Sequence, residues 1–214
     1  MSSVSRETQP DEDLVRTLFP SRVSEINRYV HLLGTIGTER GLIGPREAPR
    51  LWERHILNCA VVSPAFAPGA SVADIGSGAG LPGVVLALCR PDLRMTLVEP
   101  LHRRVAFLHE VLEELGLTSV AVIPARAEDL HNTMLFDAVT ARAVAPLGRL
   151  VPWALPLCRP GGELVAIKGA GAADELAGAE QLLKAFSVSE TAIERYGEGV
   201  VSPLTTVLRI RSRD

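Results

Sequence analysis

The densest set of residues able to do chemistry is Asp74-Ile75-Gly76-Ser77-Gly78-Ala79-Gly80-Leu81-Pro82-Gly83. Glycines let a backbone turn tightly and come close to a ligand. An apolar run precedes them and a helical pattern follows, so the free N–H groups of a helix start would face that ligand. Read from Gly78, the segment fits GxGxxG, the pattern of dinucleotide-binding loops. Read from Asp74, it fits DxGxGxG, with an acid where dinucleotide loops more often carry an apolar residue. About 20 residues further on, Glu99 closes the next apolar run, where an acid can hydrogen-bond ribose hydroxyls under either reading. Ala125-Arg126-Ala127-Glu128-Asp129 follows the third run. An acid there can reach an adenine amino group while a neighbouring N–H pairs with a ring nitrogen. Arg142 and Lys168 end the fourth and fifth runs. Lys168 closes a buried-looking strand, an expensive place for a charge without a partner, so it is either a ligand contact or half of a structural ion pair. His55 shares a helix face with Leu51 by i,i+4 spacing and is either a satisfied, partly buried histidine or part of the site.

These residues need elements to hold them. Strands are expected at Ser71 to Ile75, Met95 to Glu99, Val120 to Ile123, Phe136 to Thr140, Glu163 to Ile167, Ser187 to Ser189 and Thr205 to Ile210. Helices are expected near Val84–Cys89, His102–Leu115, Leu147–Leu157 and Ala173–Ala185. Alternation of strand and helix implies a largely parallel sheet covered on both faces. The last two strands lack a convincing helix between them and would form a closing antiparallel hairpin. Upstream, Met1 to about Pro10 reads as a disordered tail and Asp11 to about Phe19 as a short helix. Ser21 reads as the N-cap of a helix carrying Val23, Ile26, Tyr29, Val30 and Leu33 on its apolar face. Gly34 to Pro49 reads as a loop and Arg50 to Val62 as a helix. The expected organisation is a tail and helical extension over 1–68 and a compact cofactor-binding unit over 69–214.

DxGxGxG is typical of Class I methyltransferases, and four collinear stretches make the resemblance specific. Arg54-His55-Ile56-Leu57 matches an RHIL segment. Asp74 to Gly83 ends in the distinctive Gly-Leu-Pro-Gly. Arg103-Arg104-Val105-Ala106-Phe107-Leu108 is similar to KRVxFL. Arg142-Ala143 is paired with Ile167-Lys168-Gly169. From about Tyr29 to the C-terminus the chain resembles the ribosomal RNA small-subunit methyltransferase G family, also called glucose-inhibited division protein B. The resemblance implies a Rossmann-like, mostly parallel seven-stranded sheet with an N-terminal helical extension. It also implies transfer of a methyl group from S-adenosylmethionine to N7 of one guanine in 16S ribosomal RNA. By that resemblance, Gly76, Leu81, Ala127, Glu128 and Arg142 fall at cofactor-contacting positions, beside Asp74, Gly78, Gly80 and Glu99 of the loop reading. Arg54, His55 and Lys168 fall where the RNA or the transfer site is expected. Departures lie on the substrate side: Asn58-Cys59 replaces the usual Asp-Ser, and Gly41-Leu42-Ile43-Gly44 replaces an Asn-Leu-Thr segment.

Guanine N7 carries a lone pair and no proton, so its methylation needs alignment and charge handling, with no general base. Consistently, Thr140-Ala141-Arg142-Ala143-Val144-Ala145-Pro146 lacks the Asn-Pro-Pro-Tyr type of motif that amino-group methyltransferases tend to carry there. Arg142, Lys168 and His55 are the candidates for the transfer site, and an arginine fork suits guanine O6. Composition sets limits on partners. The chain has 214 residues, 47% of them hydrophobic, and a net charge of −3. Bulk charge therefore does not recruit nucleic acid, and RNA contact requires a local basic patch. Arg46, Arg50 and Arg54 recur at i,i+4 spacing, diluted by Glu47 and Glu53; with Arg103, Arg104 and Lys168 they are the candidate RNA contacts. The acidity favours a shaped partner, a small ribosomal subunit or an assembly intermediate, over loose RNA binding. Cys59, Cys89 and Cys158 lie far apart, which argues against a zinc site or disulfide framework. The polar start and the lack of a long apolar run imply a cytoplasmic protein without membrane spans, expected to be a monomer. A small-molecule methyltransferase and a nicotinamide-type module resting on Gly78 to Gly83 remain the competing readings.

Overall fold

A computed structural model describes residues 10–213. The expected N-terminal tail lies outside them, apart from Pro10. Seven strands form one sheet: β1 (Ser71–Ile75), β2 (Arg94–Val98), β3 (Ala121–Ile123), β4 (Phe136–Arg142), β5 (Cys158–Lys168), β6 (Val188–Tyr196) and β7 (Thr205–Ser212), in the order β3-β2-β1-β4-β5-β7-β6. The first five are parallel, and β7 runs antiparallel between β5 and β6. The last two strands thus pair as a hairpin, as their missing helix implied. Strand order reverses between β1 and β4, and in open sheets of this kind ligands bind outside the carboxyl ends at that reversal. Asp74, Glu99, Arg142 and Lys168 all sit at or just past those ends.

The helices are α1 (Glu12–Leu18), α2 (Val23–Leu32), α3 (Leu57–Ala60), α4 (Gly83–Cys89), α5 (His102–Glu114), α6 (Leu147–Ala154), α7 (Ala172–Gly178) and α8 (Glu180–Ala185). Strand residues alternate between two buried clusters, as the pleat requires. Val72, Val165 and Val207 point into one, with Ile26, Tyr29, Leu33, Trp52 and Ile56 of the N-terminal region and Phe107 of α5. Ala73, Leu164 and Leu208 point into the other, under α6 and α8. The stretch before residue 69 therefore shares one cluster with α4 and α5 on one face of the sheet, and Tyr29 and Ile26 have no solvent exposure. Each such side chain contributes about 1.5–3 kcal/mol by burial. Among the described residues no helix is long and apolar enough to cross a membrane.

Several sequence expectations are corrected. Ser21 lies in a turn, and Arg22 occupies the N-cap of α2 without a side-chain cap bond. The helix does not stop at Gly34 but runs on through a π turn, Leu33–Gly37. Gly37 is buried beside Phe107 and Ile43, so tertiary packing of this turn overrides glycine's poor helix propensity. The expected helix from Arg50 to Val62 is a 3-10 turn (Ala48–Arg50), a π turn (Trp52–Ile56) and α3. The single helix expected over Ala173–Ala185 is broken between Gly178 and Glu180. β6 is nine residues long, well beyond Ser187–Ser189, because full pairing with β7 overrides its polar composition.

Candidate cofactor and acceptor site

The glycine loop leaves β1 and enters α4 under tight steric control. Gly76, Gly78 and Gly80 have φ of 66°, 60° and 98°, conformations that L side chains rarely adopt. A Cβ at Gly76 would lie 2.9 Å from Val144, and one at Gly80 would lie 2.5 Å from Val84 and 2.9 Å from the Tyr29 hydroxyl. A Cβ at Gly83 would strike Leu97 at 2.3 Å and Asp74 Oδ2 at 2.7 Å. The loop is also held from below, because the buried Tyr29 hydroxyl donates to the Ala79 carbonyl at 2.8 Å.

Two buried carboxylates flank the loop. Asp74 Oδ2 accepts the Gly83 N–H at 3.0 Å, whereas Asp74 Oδ1 is buried without a hydrogen-bond partner. Burial pushes this carboxyl up to about 7 from an ordinary 3.8, against the opposing pull of the Gly83 N–H. Glu99 is 1% exposed; Oε2 accepts the Gly78 N–H at 2.9 Å and Oε1 the Leu101 N–H at 3.0 Å. Arg104 stands 3.5 Å from the same carboxylate. Arg104 thus stands beside the glycine loop, partnered with a nearly dry carboxylate and still partly exposed. Arg103 is exposed at the start of α5. Ala127 is buried and Glu128 exposed in a 3-10 turn (Ala127–Leu130) past the end of β3. The loop thus forms a cradle that combines an orphaned buried acid oxygen, a second acid fixed on backbone N–H groups, and glycines of which Gly76 and Gly80 have protein side chains where a Cβ would stand.

Arg142 is anchored from the N-terminal region. Its Nη2 donates to the Arg54 carbonyl at 2.7 Å and to His55 Nδ1 at 2.8 Å, and Nη1 reaches Cys59 Sγ at 3.5 Å. A π turn brings this main-chain carbonyl to Arg142. In it the Leu57 N–H bonds back to the Trp52 carbonyl, while the Glu53 carbonyl accepts from the Asn58 side chain and the Arg54 carbonyl from Arg142. A guanidinium offers no lone pair, so His55 Nδ1 accepts and His55 Nε2 carries the proton. That proton goes to Glu47 Oε2 at 3.1 Å. Burial and the neighbouring Arg142 charge hold His55 down at about 4, so the ring is neutral at physiological pH. Glu47, Tyr29 and Val144 were not singled out by the sequence. Tyr29 reads there as one more apolar helix position, and Glu47 only as a diluting acid.

The Lys168 side chain is 9% exposed and donates to the Ala145 carbonyl at 2.8 Å and to Glu175 at 2.7 Å. Glu175 also accepts the Leu147 N–H at 2.7 Å. Of the two sequence alternatives for Lys168, the structure displays the ion pair, which ties the β4 exit loop to α7. That loop is tight, with Ala143 at φ 54°. Two adjoining clefts open over these residues. One of about 520 Å³ lies between the exit loop (Arg142 to Pro146) and Lys168 and Glu175. The other, about 820 Å³, extends from Arg142 and Lys168 to Arg50 and Arg54 on one side and to the β6–β7 hairpin on the other. Arg46 is exposed outside both linings. The expected helical stripe of arginines does not form, because Arg46 lies in a turn, Arg50 ends a 3-10 turn and Arg54 sits in a π turn. Arg50 and Arg54 face Glu53 at 3.0 Å and Glu47 at 3.6 Å.

Comparison with known proteins agrees with this geometry. The fold is shared with a SAM-dependent O-methyltransferase from Thermotoga maritima (TM-score 0.56, 12% identity, 73% of this chain and 65% of that one). It is shared also with a ribosomal protein L11 methylase from Lactobacillus delbrueckii subsp. bulgaricus (TM-score 0.56, 18% identity, 74% and 77%). Among curated relatives, the ribosomal RNA small subunit methyltransferase G of Streptomyces coelicolor is 52% identical over 209 residues, 97% of this chain and 87% of that protein. That of Thermobifida fusca is 53% identical over 198 residues, 92% and 84%. The family described as rRNA small subunit methyltransferase G matches residues 22–202, and with an intact glycine cradle, both flanking acids and an anchored Arg142 in place, the chain belongs to that family.

Proposed function

We propose that the protein transfers a methyl group from S-adenosylmethionine to N7 of a guanine in 16S ribosomal RNA, presented in a small ribosomal subunit or an assembly intermediate. The observation that carries this reading is Arg142, a charged fork held by neutral acceptors at the end of β4 and lining both clefts, two residues before the Val144 that stands against Gly76. S-adenosylmethionine supplies an electrophilic methyl group on a sulfonium. Gly76, Gly78, Gly80 and Leu81 would admit it, Glu99 would receive the ribose hydroxyls, Asp74 Oδ1 the cationic amino-acid tail, and Ala127 and Glu128 the adenine.

No residue has to remove a proton before transfer. His55 fits that demand, since both ring nitrogens are engaged and the ring is neutral. Its part is to position Arg142, not to act as a base. Three of the five guanidinium N–H donors are used within the protein, which leaves donors for guanine O6 while N7 stays open. Lys168 in turn fixes the exit loop through Ala145 and Glu175. A cytoplasmic monomer suits a ribosomal substrate of this kind.

The test is incubation with methyl-labelled S-adenosylmethionine and undermodified small subunits, followed by nucleoside analysis. Label in 7-methylguanosine supports the assignment. Confirmed cofactor binding without label in RNA would turn the reading toward a small-molecule acceptor.

A further inference from the structure

The chain is acidic overall, yet the larger cleft collects cations from distant stretches. Arg142 and Lys168 form its floor, Arg50 and Arg54 one wall, and Arg195 on β6 the opposite wall; Glu53 is the one acid among the described lining residues. Arg50, Arg54 and Lys168 each face an acid, Glu53, Glu47 and Glu175 respectively. Arg142 is held by neutral acceptors, and the exposed Arg195 side chain has no partner among the described residues. Two uncompensated positive charges therefore lie on the floor and on the far wall.

Register explains why Arg195 belongs to this site. Lys168 of β5 pairs with Thr206 of β7, and Thr206 pairs with Arg195 of β6. Residues in register share a sheet face, and strands lie about 4.8 Å apart, so the Arg195 stem starts about 10 Å from that of Lys168. The two walls are tied together at their base. Thr205 Oγ1 donates to Asn58 Oδ1 at 2.7 Å, and a Cβ at Gly197 would lie 3.2 Å from Val61. Beside Arg195 the same wall exposes Ile193 (42%) and Leu204 (38%).

We propose that the β6–β7 hairpin is the second jaw of the RNA interface, with Arg195 contacting a backbone phosphate next to the target guanine and Leu204 and Ile193 lying against a base or ribose. This rests on the ribosomal RNA reading above. Interleaved cationic and apolar side chains along an open cleft of about 820 Å³ match alternating phosphates and bases, and a lone small anion would leave most of that surface unused.

The test measures methylation of undermodified small subunits across a salt series with the wild type, Arg195→Ala, Arg195→Lys and Arg16→Ala. Arg16 is an exposed α1 residue outside the cleft. Arg195→Ala should raise KM for subunits several-fold and flatten the log KM against log salt slope by about 0.7–0.9, the loss of one phosphate contact. The kcat and the affinity for S-adenosylhomocysteine should stay at wild-type values. Arg195→Lys should recover most of the slope, and Arg16→Ala should match the wild type. A wild-type KM and slope in Arg195→Ala would overturn the hairpin assignment while leaving the methyltransferase reading intact, as would an equal change in Arg16→Ala. Failure of the wild type to label RNA would overturn the ribosomal reading and this inference with it.

Discussion

Replacing Asp74 by asparagine should stabilise the cofactor-free protein at alkaline pH while weakening cofactor binding. The carboxyl is buried, with Oδ1 unpartnered, and burial raises it from 3.8 to about 7. Between those values the unfolded chain has released the proton and the folded chain keeps it, so wild-type stability falls as pH rises through this window and levels off above about 7. Each pH unit there costs about 1.4 kcal/mol, which gives a penalty of about 4 kcal/mol at pH 8 and about 1.5 kcal/mol at pH 5. In Asp74→Asn the new side chain would keep the acceptor for the Gly83 N–H and carry no charge, at the cost of a buried amide group worth about 1–3 kcal/mol. That cost does not vary with pH. The stability difference between variant and wild type should therefore move by about 2–3 kcal/mol in the variant's favour from pH 5 to pH 8, roughly 5–10 °C in Tm for a chain of this size. The measurement is denaturant or thermal unfolding of both proteins without cofactor at the two pH values. Calorimetric titration with S-adenosylhomocysteine, whose amino-acid tail is retained, should show affinity lowered about 10-fold or more, as expected for loss of a charge-assisted hydrogen bond. A pH-independent stability difference would refute the buried-charge reasoning, and unchanged affinity would refute the placement of the cofactor tail.

Gly76→Ala imposes φ 66° on an L residue and sets its Cβ 2.9 Å from Val144, so cofactor affinity should collapse with a loss of about 1–3 kcal/mol in stability; normal titration of a folded variant would contradict the cradle. Tyr29→Phe strips the donor from the Ala79 carbonyl and should cost about 1–3 kcal/mol in unfolding, with weaker cofactor binding, whereas a loss of stability alone would make Tyr29 a packing residue only. Nitrogen-15 NMR should find His55 neutral at pH 7 with its proton on Nε2; its lowered value places the stability it contributes above about pH 6.5, with loss on acidification toward 4. A ring titrating near 6.5 would break the relay. Glu47→Leu should lower kcat several-fold with cofactor affinity retained, because it frees His55 and through it Arg142; equal loss of stability and activity would leave Glu47 a purely structural residue.

The cofactor half of this protein is written locally. Strand, glycine loop and helix start are contiguous, so Asp74 to Gly83 carries its own geometry, and Glu99 follows at the end of the next strand. Aliphatic alternation likewise announces a parallel sheet with a closing hairpin. The acceptor half is assembled from stretches far apart in the chain, and periodicity is silent about it. The Arg54 carbonyl in its π turn meets a guanidinium only because β4 delivers Arg142, and the neutral state of His55 depends on burial plus that same charge. Lys168 could be read as a ligand contact or half of an ion pair, and only the fold shows that Glu175 stands 2.7 Å from it. Arg104 was drawn to Glu99 by burial. Arg195 had no local signal at all, since only the register of β5, β7 and β6 places it in the cleft. Local backbone chemistry thus determined the loop at which a cofactor is expected. Long-range pairing and desolvation, which sequence spacing does not encode, decided which charges are spent inside the protein and which face a substrate.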